Sequence, residues 1–311
     1  MSAKPLVSIV TPSYNQARFL EKTMRSILEQ DYAPIEYMVV DGGSKDGSVN
    51  LIRKYENKLA WWVSEKDSGQ AEAINKGLAR AKGEIIAWLN SDDYYMPGAV
   101  TAAVKALQEN PQAGFVYGDV RVVAEDESVV NQLTYGDFGL VDLMSFQIIG
   151  QPSVFMRRDT LDRAGYLDPS YHLLLDHHLW IRLALESGMH YLPRLMASAH
   201  YYEECKNLAN ASGFGVEAKK IVEWMRADPR LAELTFKHQR QILAGAERLD
   251  AFYLLDAGEY GASFRAYWKA FWLKPSVVLP EWYRMVYALF APLGLSGLKK
   301  RHLDKRKRKL H

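Results

Sequence analysis

The chain has 311 residues, 48% of them apolar and 24% charged, a composition that excludes a disordered or collagen-like protein. Its single cysteine, Cys205, excludes a disulfide framework and a cysteine-based zinc site, and it fits a reducing, cytoplasmic setting. The net charge of +2 is uneven, because the tail 299–311 holds eight Lys/Arg and one Asp, which leaves 31 basic and 36 acidic side chains before it. Attraction to an anionic surface is therefore expected in this basic tail.

The sequence predicts neither a secretion signal nor a membrane span. The first ten residues contain a short apolar run typical of a strand, not the longer run of a signal peptide. No stretch of about 18 residues is free of charge and proline, so no segment is predicted to cross a bilayer.

Strand and helix patterns alternate through the first half of the chain. The predicted strands are 6–11, 35–40, 61–63 and 84–89, and the predicted helices are 17–30, 48–57 and 70–81. Strands that alternate with helices of this length indicate βαβ units and a doubly wound sheet of the α/β class. Ligands of such sheets bind at the carboxyl ends of the strands, where this chain carries TPSYN, DGGSKDG and NSDD.

The second half is mixed and then becomes helical. The predicted elements are an antiparallel pair at 115–123 and 129–134, a strand at 154–156, and helices at 174–187, 216–226, 230–256 and 259–272. The stretch DAGEYGASFRAYWKAFWLKP has the spacing of one tetratricopeptide-like hairpin, which predicts a helical appendage packed on the α/β core. We therefore divide the chain into an α/β domain, 1–212, and a helical region, 213–311.

Two adjacent acids, Asp92 and Asp93, follow the predicted buried strand 84–89. Neighbouring carboxylates at a strand end are costly unless a positive charge lies beside them. Mg²⁺ or Mn²⁺, which binds through one or two carboxylates together with substrate phosphates, is the natural solution. The alternative is that one of the acids caps the helix predicted to begin near Pro97.

Asp41 ends the second predicted strand, where an acid can accept hydrogen bonds from a base or ribose. The alternative is a turn-forming role before Gly42 and Gly43. Ser44 and Asp46 are predicted to cap the helix that follows.

Several ordered motifs resemble the nucleotide-binding half of family 2 glycosyltransferases, from about residue 5 to 120. They are PLVSIVTPSYNQARFLEKTMRSILEQDY, EYMVVDGGSKDGS and WVSEKDSGQAEAINKGLARAKGEIIAWLNSDDYY. A weaker resemblance continues through GQPSVFMRRDTLDRAGYLDPSYHLLLDHHLWIRLA, so that 121–212 is expected to form the acceptor half. The resemblance implies a GT-A fold and inverting transfer from a UDP-, GDP- or dTDP-sugar held by Mn²⁺ or Mg²⁺.

The resemblance also implies roles for single residues in the donor half. The residues expected to bind the donor are Thr11, Pro12, Tyr14, Asp41, Asp67 and Asp92. Asp93 falls on the carboxylate that commonly meets the metal, with Asp92 beside it. His200 falls near a further metal ligand of some relatives, although Tyr202 aligns there equally well.

The general base of the family falls on Asp176, in the segment LDHHLW. The family's preceding glutamate is replaced by Leu175, and an apolar neighbour would raise the pKa of Asp176 towards a useful value. The alternative is an N-cap aspartate. His177 and His178 point about 100° apart on a helix and do not suit one metal ion.

The acceptor side of the family falls on Gln151, Arg157 and His177. A glycan or a lipid-linked glycan is the expected acceptor, as in polysaccharide biosynthesis. The sequence contains neither the membrane spans nor the QXXRW motif of processive synthases, so transfer of one sugar per encounter is expected.

The segment 281–311 joins an aromatic amphipathic helix to the basic tail. Two interpretations stay open: peripheral contact with the inner face of the cell membrane, or a last core helix with a solvated charged end. Nucleic acid is not expected as a partner, because the body of the protein is acidic.

Two other classes of function are alternatives to sugar transfer. A non-catalytic nucleotide-sugar-binding or scaffold protein of the same fold would have no need of Asp93 and Asp176, and both are present. A nucleotidyltransferase would carry a Gly-rich loop with a basic residue after its first strand, which TPSYN lacks.

Overall fold

The computed structural model describes residues 4–202 and 210–293. The chain forms two compact units, of which the first runs to Gly139 and resumes from Ile149 to Tyr201. The second consists of Leu140–Ile148 and the chain from Tyr202 onward. The division thus falls after residue 201, whereas the sequence pattern suggested 212.

One mixed sheet runs through the first unit. Its strands are β1 (Val7–Ser13), β2 (Ile35–Asp41), β3 (Trp61–Ser64), β4 (Ile85–Trp88), β5 (Asp93–Tyr95), β6 (Ala113–Val123), β7 (Val129–Leu133), β8 (Phe155–Arg157) and β9 (Gly188–His200). They follow the order β3-β2-β1-β4-β8-β6-β9-β5, with β7 paired to β6. The strands β1 to β4 are parallel, as the alternation of elements predicted.

Seven helices accompany this sheet in sequence, of which α5 belongs to the second unit. They are α1 (Ala17–Leu28), α2 (Ser48–Lys54), α3 (Gln70–Leu78), α4 (Ala99–Glu109), α5 (Leu140–Met144), α6 (Arg158–Ala164) and α7 (Leu175–Glu186). The predicted apolar face of α1 is confirmed, because Leu20, Met24 and Ile27 are buried against the sheet. Their spacing of four and three residues places them on one side of the helix.

The strand β9 has no counterpart among the predicted elements. It pairs in parallel with β6 and antiparallel with β5. The register with β6 shifts on both sides of Asp119, opposite a part of β9 that contains Pro193. Proline cannot donate to a strand ladder, which explains why this segment lacked a clean strand pattern.

Within the described residues, the rest of the second unit is helical. Its helices are α8 (Ala211–Ala227), α9 (Ala232–Lys237), α10 (Gln239–Asp256), α11 (Tyr260–Leu273), α12 (Pro275–Val278) and α13 (Trp282–Phe290). The predicted helix 230–256 is broken at His238, which separates α9 from α10. Helices α10 and α11 form the predicted hairpin around a core that contains Ala244, Ala251 and Tyr267. Among residues 4–202 and 210–293, no helix is both long and apolar enough to cross a bilayer.

Candidate donor and metal site

Three polar loops meet at the carboxyl edge of the parallel strands. Strand β1 lies between β2 and β4, with Ser13 level with Asp41 and Val10 level with Trp88. The loops TPSYN, DGGSKDG and NSDD therefore leave neighbouring strands at one edge of the sheet. The strands β2 and β3 are added on one side of β1 and β4 on the other, so the strand order reverses between β1 and β4, which is the position where α/β sheets bind ligands.

Hydrogen bonds tie the first two loops to each other. The backbone N–H of Asn15 donates to Ser44 Oγ at 2.7 Å, and the N–H of Lys45 donates to Asn15 Oδ1 at 3.0 Å. Ser44 thus joins the two loops, although it was expected to cap the following helix. Asn15 adopts a φ of 51°, a conformation that asparagine tolerates better than most residues. The two loops therefore form a single braced rim.

The predicted donor residues of the first loop differ in their exposure. Thr11 and Pro12 are buried within β1, and Tyr37 Oη donates to Thr11 Oγ1 at 3.1 Å. Tyr14, in contrast, has 63% of its surface exposed beside the rim. Of these three residues, Tyr14 is therefore the one with a side chain open to a ligand.

Asp41 adopts the turn-forming arrangement that was its alternative role. Its Oδ2 accepts hydrogen bonds from the backbone N–H groups of Gly43 and Ser44 at 3.0 and 2.9 Å. Ser64 Oγ donates to the same oxygen at 2.7 Å, and Ser44 Oγ donates to Oδ1 at 2.6 Å. The carboxylate is fully buried, so a direct contact with a nucleotide base, which stays a prediction, requires the groups that cover it to move.

Asp67 lies directly against the second loop. A Cβ atom added to Gly42 would come within 2.7 Å of Asp67 Oδ2, so a larger residue at position 42 would displace this carboxylate. Asp67 Oδ1 accepts a hydrogen bond from Gly69 N–H at 3.0 Å. Burial raises the pKa of Asp67, and the charges of Glu72 and Asp41 raise it further. The predicted donor-binding acid is therefore positioned at the rim.

The acid pair at the end of β4 is held by a neighbouring helix. Thr23 Oγ1, on α1, contacts the backbone carbonyls of Ser91 and Asp93 at 2.9 and 2.6 Å. Asp93 is the first residue of β5, and the N-cap of α4 is Gly98. Because neither Asp92 nor Asp93 caps α4, the capping alternative is wrong.

Asp93 is a buried carboxyl group whose negative charge is only weakly stabilised by its surroundings. Burial and the neighbouring Asp92 hold the pKa of Asp93 well above its usual range, while Asn90 and the backbone of His200 oppose this shift. Asn90 Nδ2 lies 3.4 Å from Asp93 Oδ2, and Asn90 Oδ1 accepts a hydrogen bond from Gln70 Nε2 at 2.9 Å. A cation beside the pair would favour its charged form.

This arrangement fits a hard divalent cation. The donors are carboxylate oxygens at the open end of a strand, which Mg²⁺ and Mn²⁺ prefer. Within residues 4–202 and 210–293, no group of three or more His, Cys, Asp or Glu side chains is preassembled to hold a metal. A site of two carboxylates completed by a diphosphate is consistent with both observations.

The imidazole of His200 is turned towards two oxygen atoms. Its Nδ1 lies 2.5 Å from the carbonyl oxygen of Asp92, and its Nε2 lies 2.9 Å from Glu127 Oε1. The ring also stacks on Phe19, with centroids 4.6 Å apart. A metal ligand must offer a nitrogen lone pair, so the predicted metal role of His200 requires one of these contacts to break.

Asp176 lies in the first turn of α7, half-buried, and its Oδ1 accepts the backbone N–H of His177 at 2.7 Å. The N-cap of this helix is Leu174, so Asp176 is not the cap. One turn further, Trp180 stacks on Trp88 of β4 with centroids 5.1 Å apart. The helix that carries Asp176 therefore packs on the strand that leads to the acid pair.

The three predicted acceptor-side residues lie in different environments. Gln151 Nε2 donates to the carbonyl of Trp88 at 2.9 Å, two residues before Asn90. Arg157 Nε donates to the carbonyl of Ala113 at 2.9 Å, and its Nη2 donates to the carbonyl of Leu107. His177 is buried on α7. Gln151 is thus beside the site, whereas Arg157 joins α4 to the start of β6.

Sequence reasoning missed several residues that hold the site. Gln70 and Thr23 position the NSDD turn, and Glu127 contacts His200 from the β6–β7 hairpin. Gln70 lies within the family-like segment DSGQAEA, so that segment was a usable signal for it. The contacts of Thr23 with Ser91 and of Glu127 with His200 could not be predicted, because these partners lie 68 and 73 residues away along the chain.

Comparison with known proteins shows to which family the chain belongs. The family model described as Glycosyl transferase family 2 matches residues 8–156. TuaG of Bacillus subtilis, whose name assigns it to teichuronic acid biosynthesis, is 32% identical over 186 residues, which cover 58% of this chain and 72% of TuaG. The chain belongs to glycosyltransferase family 2. An uncharacterised glycosyltransferase of Mycobacterium tuberculosis is 37% identical over 120 residues, which cover 38% of this chain and 46% of that protein.

Solved structures agree with this assignment at the level of the fold. TarS of S. aureus in complex with UDP-GlcNAc has a TM-score of 0.59 at 16% identity, covering 84% of this chain and 89% of that one. The mannosyltransferase PcManGT of Pyrobaculum calidifontis, in complex with GDP-Man and Mn²⁺, has a TM-score of 0.59 at 22% identity, covering 94% and 87%. The predicted GT-A fold of the α/β class is confirmed, and the protein is a glycosyltransferase.

Proposed function

We propose that this family 2 glycosyltransferase moves a sugar from a nucleotide-diphosphate donor to a hydroxyl acceptor by a single displacement with inversion. The observation that carries the proposal is the position of two adjacent carboxylates, Asp92 and Asp93, beyond the end of β4, where Asp93 is buried beside the charge of Asp92. The pair lies at the strand edge where α/β sheets bind nucleotides. When bound, Mn²⁺ or Mg²⁺ would neutralise negative charge on the leaving diphosphate.

The donor occupies the braced rim in this proposal. Tyr14 offers an exposed ring for a base, and Asp67 offers a carboxylate beside Gly42. Thr11, Pro12 and Asp41 are buried in β1 and β2, so they support the rim and offer no open side chain to the donor. Asp93 and Asp92 supply the oxygens that hold the cation.

The acceptor hydroxyl is activated by Asp176. This carboxylate removes the hydroxyl proton as the acceptor oxygen bonds to the anomeric carbon and the bond to the nucleotide diphosphate breaks. Its pairing with the backbone N–H of His177 fixes its orientation at the start of α7. Gln151 and His177 are the acceptor-side residues that we retain, since Gln151 bonds the end of β4 whereas Arg157 bonds the end of α4 and the start of β6.

The proposed classes of donor and acceptor are based on the relatives and structural neighbours of this chain. A UDP-, GDP- or dTDP-sugar is the proposed donor, in line with the UDP-GlcNAc and GDP-Man bound by the two structural neighbours. A glycan or lipid-linked glycan is the proposed acceptor, supported by the name of TuaG, which places that relative in teichuronic acid biosynthesis.

A thermal-shift panel of nucleotide sugars, with and without Mn²⁺, tests the proposal. A ligand at one hundred times its Kd stabilises the fold by about 2.7 kcal/mol. Asp93→Ala is expected to lose the metal-dependent shift, whereas Asp176→Asn keeps the shift and loses turnover. Asp162→Asn, an exposed acid on α6, is the charge-matched control. Full transfer by Asp176→Asn would show that another group is the base.

We also propose a peripheral contact with the inner face of the cell membrane through 281–311. Only Ala288 of α13 is fully buried, and five apolar or aromatic side chains of this helix are exposed: Trp282, Tyr283, Val286, Leu289 and Phe290. This exposure favours an interfacial helix over a last core helix. The basic tail, 299–311, lies outside the described residues.

A further inference from the structure

A cationic pocket lies on the helical unit and is lined by residues outside the segment 281–311. It encloses about 460 Å³ between the α9–α10 junction and the end of α11. Lys237, His238, Arg240 and Lys274 line it, and among residues 4–202 and 210–293 no acidic side chain does. The pocket also contains the first residues of α10 and the last residues of α9 and α11, so its positive charge comes from these side chains and not from a helix end.

Two of the cations are held in place by neutral groups. Arg240 Nε donates to the carbonyl of Leu273 at 3.0 Å, and Lys274 Nζ donates to Gln241 Oε1. In the part of the chain that the structure describes, Lys237, Arg240 and Lys274 form no ion pair. Their positive charge is therefore concentrated and uncompensated, which is the electrostatic requirement for binding an anion.

Large aromatic side chains are exposed next to this charge. Phe236, which lines the pocket, has 75% of its surface exposed. Trp272, whose carbonyl accepts a hydrogen bond from Arg240 Nη2 at 3.4 Å, has 64% exposed, and Trp268 beside it has 47%. Aromatic rings that flank basic side chains are typical of surfaces that enter the interface of a bilayer.

We infer that this pocket binds the phosphate of an anionic phospholipid headgroup while Phe236 and Trp272 enter the lipid interface. A soluble anion would use the cations but leave the aromatic rings in water, whereas a lipid surface satisfies both. The inference deepens the proposed membrane contact and rests on it. In addition to the apolar contact through α13, the protein would then bind the negative charge of a phospholipid headgroup at residues 236–241 and 272–275.

The test is co-sedimentation of the full chain with vesicles of pure phosphatidylcholine and of phosphatidylcholine with 30% phosphatidylglycerol, a composition of roughly physiological charge. The double variant Lys237→Gln/Lys274→Gln removes two charges from the pocket. Its partition to the anionic vesicles is expected to fall about thirtyfold. Lys105→Gln/Lys219→Gln removes two exposed charges outside the pocket and is the matched control.

The controls separate this site from the other proposals. Trp282→Ala/Leu289→Ala, on α13, is expected to weaken binding to neutral and anionic vesicles alike. Donor hydrolysis without vesicles should be unchanged in the pocket variant, so failure of the sugar-transfer proposal would show separately. Equal losses in the pocket and control pairs, no loss in the pocket pair, or no binding of the native chain to anionic vesicles would each overturn the inference.

Discussion

Gly77 permits the close approach of helix α3 to the central strand β1. A Cβ atom at this position would overlap both methyl groups of Val10, and the contact with Cγ2 would be 2.8 Å. Val10 is fully buried and branched, so it cannot move aside cheaply.

Gly77→Ala is therefore expected to lower the free energy of unfolding by about 1–3 kcal/mol, although alanine is the better helix former. Gly261→Ala is the matched control, because Gly261 lies exposed in α11 with ample space and should gain up to about 1 kcal/mol. Urea unfolding of both variants measures the difference. Stabilisation by both substitutions would show that α3 can move away from the strand.

Glu127 positions the acid pair through His200. Its carboxylate pairs with Lys22 at 2.5 Å and with His200 Nε2, and it accepts a hydrogen bond from Tyr94 Oη at 3.0 Å. The other ring nitrogen of His200 contacts the backbone of Asp92. Loss of the Glu127 charge should therefore loosen the NSDD turn.

Glu127→Gln is expected to weaken Mn²⁺ binding about tenfold, the scale on which groups behind a metal ligand act. Titration of Mn²⁺ followed by electron paramagnetic resonance measures the affinity directly. Glu125→Gln, two residues away on the same hairpin and paired with Arg18, is the control and should leave the affinity unchanged. Equal effects of the two substitutions would indicate a general loss of negative charge.

At the residue scale, the sequence alone pointed to the acid pair but did not predict how the residues around the pair are arranged. Asp92 and Asp93 stand out because two adjacent carboxylates follow a buried strand. The orientation of His200 could not be predicted, because its ring contacts Asp92, 108 residues earlier in the chain. Contacts at that separation depend on the folded sheet and leave no local pattern.

At the scale of elements, one aspartate joins the starts of two helices. Asp46 Oδ2 accepts the N–H of Ala17, the first residue of α1, and its Oδ1 accepts the N–H and hydroxyl of Ser48, the first residue of α2. Burial raises the pKa of Asp46, but the bonds from Ser48 and Ala17 outweigh it and hold the pKa below the usual value. The charged form therefore stabilises the fold.

Because the pKa of Asp46 is lower in the folded than in the unfolded state, its charge stabilises the fold at pH values above the unfolded pKa of about 3.9. This stabilisation is lost as the pH falls through the folded-state pKa. Asp46→Asn is thus expected to be less stable than the native chain at pH 7, with the two stabilities converging below about pH 4. Chemical unfolding across this range measures it. A difference that stays constant with pH would mean that the charge of Asp46 does not matter.

The succession of elements in the first unit was predictable because helix and strand periods alternate there. Strand β9 was not, since Pro193 interrupts its pattern and its pairing comes from β5 and β6. The break at His238 was missed for a similar reason, because neither glycine nor proline marks it.

At the scale of the whole molecule, the proposals assign a different ligand to each compact unit. The nucleotide site uses the loops after β1, β2 and β4 of the first unit, and the lipid contact uses 236–241, 272–275 and α13 of the second. Hydrogen exchange slows where a ligand stabilises the local fold, so each ligand should leave its own footprint.

Mn²⁺ with a bound nucleotide sugar is expected to protect 11–16, 41–48, 64–70 and 90–93 and to leave 236–290 unchanged. Anionic vesicles should protect 236–241 and 272–290 and leave the four loops unchanged. Exchange measured by mass spectrometry on the full chain, with each ligand alone and with both, compares these footprints directly. Protection of the four loops by vesicles alone would show that the lipid surface acts on the catalytic unit itself, and the assignment of one ligand to each unit would then be wrong.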